Sequence, residues 1–414
     1  MKLAPGTPLE IGLLLNDGDP SSPIGRLAMA DGSAQLEWSA ELIATKLRID
    51  PLLYPPEPGL QAARGREFDG LHGFLADSLP DTWGRLLMKR WLEKAGVRLE
   101  TLTAVDQLAL VGNNGRGALV YQPATTPVGD TGAIDLDALA EQSQLLLLGE
   151  GTDLIDTLAR LGGASGGARP KVSIGIATDG SLCQNAAIDG HDEWIVKFRA
   201  MIDPVDIGPV EEAYARMARA AGIDMAPSRL LPARDGFGYF ATRRFDRPSP
   251  GRRLHMVSLA GALEALPDVP SIDYDGMLRA TSAITRHAGD VEQAFRRMVF
   301  NILTHNRDDH ARQHSYLMDA NGEWRLAPAY DLTFSNGPGG EHYLAVEGEG
   351  RTPTRLQVIA LGRRHGLSDR RIAEIIDRVR DALADWPVIA TELGVAASRA
   401  EIDDRLAHIA AAFG

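Results

Sequence analysis

The sequence predicts an α+β chain of two lobes, one rich in strands and one mostly helical, preceded by a further α+β unit. Three observations predict it. Short apolar strand patterns bounded by Gly- and Asp-rich turns dominate up to about residue 246, mixed with helical stretches. After about residue 250 the apolar spacing becomes mostly helical. A hairpin interrupts that helical half: Ser315-Tyr316-Leu317-Met318 and Trp324-Arg325-Leu326-Ala327 flank the turn Asp319-Ala320-Asn321-Gly322.

The bulk properties bound the function. A chain of 414 residues suggests two or three domains with a large core. The formal charge of −13 argues against a protein whose main task is coating nucleic acid. One cysteine, Cys183, cannot form an internal disulfide, which points to a reducing compartment. Met1 to Pro8 lacks the basic flank and apolar run of a signal peptide, and the apolar run Leu145 to Leu148 is too short to span a bilayer. A cytoplasmic protein that does not enter membranes is expected.

The first unit is expected over residues 1–125. Ile11 to Leu15 and Gln35 to Trp38 read as strands. Leu71 to Leu79 and Asp81 to Ala95 read as helical, with Gly96 as the stop. Trp83, Leu86, Leu87 and Trp91 form a core-facing stripe on the second helix. Residues 121–132, rich in Pro, Thr and Gly, read as a linker.

The β-rich lobe is expected over residues 126–246. Helices over Leu136 to Leu148 and Asp153 to Leu161 lead to Gly162-Gly163-Ala164-Ser165-Gly166-Gly167-Ala168-Arg169-Pro170-Lys171 and the strand Val172 to Ile176. Glycines let backbone amides approach an anion closely. The spacing is not that of a Walker loop, and a strand follows rather than a helix. A cover over nucleotide phosphates fits, as does a plain surface loop. Strand Glu193 to Phe198 carries Lys197, either a phosphate-binding cation or a lysine on a solvent face. Glu211 or Glu212, early in the helix Val210 to Ala221, could hold Lys197 extended. Strand Gly236 to Thr242 ends in Arg243-Arg244-Phe245-Asp246-Arg247, a short segment between lobes where adenine could meet backbone groups.

The helical lobe is expected over residues 247–414. Val291, Ala294, Met298 and Ile302 mark an amphipathic helix from Asp290 to Leu303 that delivers the chain to His305-Asn306-Arg307-Asp308-Asp309-His310. Leu356 to Leu383, in two pieces around Gly366, and Arg399 to Phe413 are further helices. A hairpin brings its open ends together, so Asp308 and Asp331 should face one point. Two carboxylates there suit phosphoryl transfer, one orienting a hydroxyl and the other holding a metal on the phosphates. The order of glycine loop, lysine strand, glutamate helix, linker, aspartate loop, hairpin and second aspartate gives a bilobal, protein-kinase-like layout.

These residues resemble the HipA-like serine/threonine kinases, toxins of bacterial type II toxin–antitoxin systems. Phe68-Asp69-Gly70, Leu79-Pro80-Asp81 and Trp83-Gly84-Arg85 resemble the family's N-terminal subdomain. The motifs Gly166 to Lys171, Ile195 to Phe198, Arg244 to Arg247, Asn306 to His310 and Ala327 to Asp331 resemble its kinase motifs in order. The resemblance implies that Asp308 is the catalytic aspartate and that Asp331 binds Mg²⁺. It implies that Gly166, Gly167, Ala168, Arg169 and Lys171 cover the phosphates of ATP and that Lys197 contacts them. It implies that Arg244, Phe245 and Asp246 lie along adenine and ribose, with His310, Arg312 and Tyr330 also at the nucleotide. It further implies a helix-turn-helix, HipB-like antitoxin as partner, DNA contact only through that complex, and a substrate such as an aminoacyl-tRNA synthetase.

Two positions depart from pattern. Gln313 stands where a kinase loop normally offers asparagine as second metal ligand. Ala164 stands where well-known members carry a phosphorylated loop serine, which leaves Ser165 as the candidate autophosphorylation site. Two rival functions stand beside the kinase. His305, Asp308, Asp309 and His310 could form a metal-dependent phosphohydrolase site. A non-catalytic, nucleotide-binding co-repressor could touch DNA phosphates through Arg363, Arg364, His365, Arg370 and Arg371, unless these are a solvated helical face.

Overall fold

The computed structural model describes residues 5–126, 134–163, 166–184, 191–266 and 269–413. Three antiparallel sheets organise them. The first holds β1 (Leu9–Leu13), β2 (Ser22–Ala30), β3 (Ser33–Trp38), β4 (Leu60–Ala62) and β5 (Leu119–Gln122) in the order β4-β3-β2-β1-β5. Alternate positions Ala34, Leu36 and Trp38 of β3 are buried, as strand periodicity requires. The linker expected from residue 121 starts later. Tyr121 is fully buried and pairs with Ile11, because Leu119-Val120-Tyr121 supplies strand chemistry and the Pro/Thr composition begins only at Pro123.

The helix expected over Leu71 to Leu79 is reduced to Gly73–Ala76. Packing explains the contraction. A Cβ at Gly73 would lie 2.5 Å from Gly261 O, so backbone meets backbone where the first unit joins the helical lobe. Buried Asp77 then accepts from the Ser258 amide and hydroxyl at 2.6 and 2.7 Å. The helix Thr82–Lys94 forms as its stripe predicts, with Trp83 and Leu87 buried and Leu86 and Trp91 packed against the same cluster.

That cluster belongs to the second sheet. It comprises β6 (Lys171–Ala177), β7 (Leu182–Cys183), β8 (His191–Lys197), β9 (Ser228–Leu231) and β10 (Tyr239–Arg243), ordered β7-β6-β8-β10-β9. Val172, Ile174, Trp194 and Val196 pack with Leu139, Leu158 and Trp83 from the helices Leu136–Leu147, Ile155–Gly162 and Thr82–Lys94. The first unit therefore lends a helix to the core of the β-rich lobe.

The third sheet is the hairpin, β12 (Ser315–Met318) and β13 (Trp324–Leu326), extended by β11 (His255–Ser258). Gly322 closes the turn at φ +82°, a conformation that suits glycine. Around this sheet lie the helices Tyr274–Thr285, Ala288–Leu303, Arg355–Arg364 and Asp369–Ala384. Gly366, at φ +82°, separates the last two. One continuous apolar core runs from Ile11 and Leu36 through Phe74 to Phe295 and Phe300. Among the described residues no helix is long and apolar enough to cross a membrane.

Candidate active site

Strand periodicity sets the cleft between the lobes. On β8, Trp194 and Val196 point into the core, so Glu193, Ile195 and Lys197 face the other way and line a cavity of about 510 Å³. Lys197 thus faces the cleft rather than open solvent. Its ammonium lies 3.0 Å from Glu211 Oε1 and also bonds Asp331 Oδ1. Glu211 is buried on the helix Ile207–Ala220, whereas Glu212 turns to Arg216 and Ser228. Burial opposes charge on Lys197, but Asp331 and Glu211 overcome it and raise its pKa above the ordinary lysine value.

The aspartate loop follows the helix Ala288–Leu303 and is held from inside. Asp309 is buried and accepts from Tyr274 Oη at 2.6 Å, His342 Nδ1 at 2.8 Å and the Tyr343 amide at 2.8 Å. Asn306 donates to Asn301 Oδ1 at 2.9 Å. Between these anchors Asp308 remains half-buried, with His310 Nε2 at 3.7 Å. Burial raises the Asp308 pKa above the usual carboxylate value; Asp331 adds to this, while His310 and Arg169 pull against it.

Asp331 takes φ +56°, a left-handed turn directly after Tyr330. Burial opposes its ionisation, yet Lys197 and Lys171 hold it well below the usual carboxylate range. Gln313 Nε2 reaches Asp331 Oδ2 at 2.9 Å, so the longer side chain arrives at the carboxylate all the same. Tyr330 shares a hydrogen bond with Ser315 at 2.7 Å, and its ring lies 5.4 Å from that of Phe245.

The glycine loop is tied down from the first unit. Gly167, at φ +92°, donates its amide to Asp81 Oδ2 at 2.7 Å. Asp81 also pairs with Arg312, joining the glycine loop to the aspartate loop. Lys171 is buried and donates to Gly166 O; burial lowers its pKa to about 8, with Asp331 opposing that shift. The candidate phosphosite Ser165, and Ala164 beside it, lie outside the described residues.

The segment between the lobes is an ion-pair knot. Arg244 meets Asp246 at 2.7 Å and Glu193 at 3.1 Å. Arg247 donates to Gly117 O at 2.8 Å and Gly115 O at 3.1 Å, and Asp246 accepts from the Gly117 amide at 2.8 Å. The Asp246 carboxylate is therefore engaged within the protein, although the residue lines the cleft.

The cleft brings most of the expected residues together. Gly166, Gly167, Lys171 and Lys197 line one side, and Arg244, Phe245 and Asp246 another. His310, Arg312, Gln313, Tyr330 and Asp331 complete it. Ala168, Arg169 and Asp308 are not on its lining; Arg169 turns to Asp203 at 3.0 Å. Sequence reasoning missed Glu193, Asp81 and Arg116, which also line it. The period of β8 could have found Glu193, two steps of two before Lys197. Asp81 and Arg116 come from the first unit by tertiary packing alone.

The rival clusters disperse. His305 stacks on Phe334 at 5.2 Å and bonds Asn336 at 3.0 Å, and burial lowers its pKa to about 4. Asp309 faces inward. Among the described residues no group of three or more His, Cys, Asp or Glu side chains is placed to hold a metal ion. The basic run is paired: Arg363 with Asp369 at 2.6 Å, Arg364 with Glu347 at 2.7 Å, and His365 with Asp275 at 2.9 Å. Arg370 meets Glu374 at 2.9 Å, and Arg371 meets Glu292 at 2.6 Å. The run is a largely exposed helical face whose charges are ion-paired within the chain.

Comparison with known proteins agrees with this architecture. A putative kinase, Y4mE, of Sinorhizobium fredii is 31% identical over 134 residues, which span 29% of this chain and 31% of that relative's length. A solved structure of the Shewanella oneidensis toxin–antitoxin system, HipA with HipB and operator DNA, superposes with a TM-score of 0.67 at 19% identity. That match covers 97% of this chain and 94% of the other. The model of the HipA N-terminal domain matches residues 20–122, and that of the HipA-like C-terminal domain matches residues 163–386. The chain belongs to the HipA-like family.

Proposed function

We propose that this chain is an ATP- and Mg²⁺-dependent serine/threonine protein kinase acting as the toxin of a toxin–antitoxin pair. One observation carries the reading: Lys197 bridges Glu211 and Asp331 at the back of the cleft. A kinase needs its phosphate lysine held by a helix glutamate and its metal aspartate beside it, and this side-chain triad suits both roles.

The residues divide the work. Lys197 and Lys171 offer positive charge to the phosphates. Asp331, kept ionised by the two lysines, and Gln313, beside it, would hold Mg²⁺; the metal would neutralise charge on the phosphate oxygens. Phe245 and Tyr330 supply an aromatic wall for the base. Asp308 orients the acceptor hydroxyl and takes its proton as that oxygen bonds the γ-phosphorus and ADP departs.

Family membership supports the toxin role, and the Shewanella HipA structure, which contains HipB and operator DNA, supports an antitoxin as partner, here proposed to be a HipB-like helix-turn-helix protein. DNA contact would then be indirect. An aminoacyl-tRNA synthetase or another translation protein is the proposed substrate class. The test is incubation of pure protein with γ-labelled ATP and Mg²⁺, alone and with cell lysate, beside Asp308→Ala. Label on serine or threonine in the unaltered sample alone supports the kinase. ATP binding with no label in any sample favours the co-repressor scaffold. Mass spectrometry of the labelled protein tests Ser165 as the autophosphorylation site.

A further inference from the structure

The first unit contributes a charged side chain to the cleft. Arg116 sits between Gly115 and Gly117, whose backbone is clamped onto Asp246 and Arg247. From that clamp the side chain enters the cleft and forms part of its lining. Its Nη2 donates to Asp77 O at 2.5 Å. Its Nη1 lies against the glycine loop, since a Cβ added at Gly166 would stand 2.7 Å from it.

The acidic groups at this corner are engaged elsewhere. Asp81 accepts from Arg312 and the Gly167 amide. Asp77 accepts from the Ser258 amide and hydroxyl. Of the other arginines on the cleft lining, Arg243, Arg244, Arg247, Arg253 and Arg312 are ion-paired, and Arg160 bonds Gln184. Arg116, half-buried, has no ion-pair partner among the described residues. Its charge acts on the Asp81 and Asp77 carboxylates without an ion-pair contact, so an anion that reaches the half-buried guanidinium would gain a direct charge-assisted bond. The space it faces also holds Gly166, Gly167, Lys171 and Lys197.

We propose that Arg116 is a ligand of the nucleotide's phosphate chain, so that the N-terminal unit completes the ATP site. This rests on the kinase reading above and extends it: the first unit supplies binding charge as well as a packing surface.

The experiment is calorimetric titration of the full chain with Mg·ATP and, separately, adenosine. It compares the unaltered protein with Arg116→Met and Arg116→Lys. Arg116→Met should weaken ATP binding about tenfold or more while leaving adenosine affinity within about twofold, and Arg116→Lys should recover part of the loss. Equal ATP affinity in Arg116→Met and the unaltered protein would overturn the assignment and leave the kinase reading standing. Parallel loss of ATP and adenosine binding would assign Arg116 a structural role and overturn it as well. If the unaltered protein binds ATP no tighter than adenosine, both readings fall.

Discussion

Lys197 takes its meaning from three separate elements: the strand that carries it, the helix that offers Glu211 and the post-hairpin turn that offers Asp331. The forked guanidinium of an arginine could not replace a compact ammonium between two carboxylates, and Lys197→Met should lower phosphotransfer by about a hundredfold or more. A steady-state assay checks this, with far-ultraviolet circular dichroism as the fold control. Lys171 makes a different prediction. With its pKa lowered to about 8, a fraction of the apo protein carries it neutral just above that pH. Bound phosphate favours the charged form, so ATP binding near pH 8.5 should take up protons, on the order of half per site. Titration in buffers of different ionisation heat measures this uptake, and Lys171→Arg should abolish it.

At the scale of elements, the aspartate loop depends on what lies behind it. Buried Asp309 accepts three hydrogen bonds, including one from His342, and these fix the backbone from which Asp308 projects. Removing a buried charged partner typically costs about 3–5 kcal/mol, so Asp309→Ala should lower the urea midpoint sharply and reduce activity through loop disorder. The loop and hairpin were legible because their signals are local: the turn Asp319 to Gly322 and the amphipathic helix before His305. The strands β2, β9 and β11 were not. Ser22–Ala30 alternates poorly, Ser228–Leu231 is short, and His255–Ser258 becomes a strand only by pairing with β12 far along the chain. The same limit applies to the site. Lys197 and Asp331 announce themselves by residue type and order; the choice of Glu211 over Glu212, and the arrival of Asp81 and Arg116 in the cleft, come from contacts that no local pattern encodes.

Across the whole molecule, the first unit, the β-rich lobe and the helical lobe meet at buried polar junctions rather than through covering loops. Asp246 joins Arg244 and Arg247 to Gly117, while Asp81 joins the glycine loop to Arg312. Asp246→Ala would leave two buried arginines without that partner, and thermal unfolding should move down by a shift worth about 3–5 kcal/mol. In the helices Arg355–Arg364 and Asp369–Ala384, Arg363 and Arg371 are ion-paired within the chain. The central claim is that Asp308 serves phosphotransfer from ATP bound in this cleft. Its most direct measurement is transfer of γ-labelled phosphate to serine or threonine by the pure chain and by Asp308→Ala. The account predicts label with the unaltered chain and loss of about a thousandfold or more in the variant. Label that persists undiminished in Asp308→Ala would contradict it.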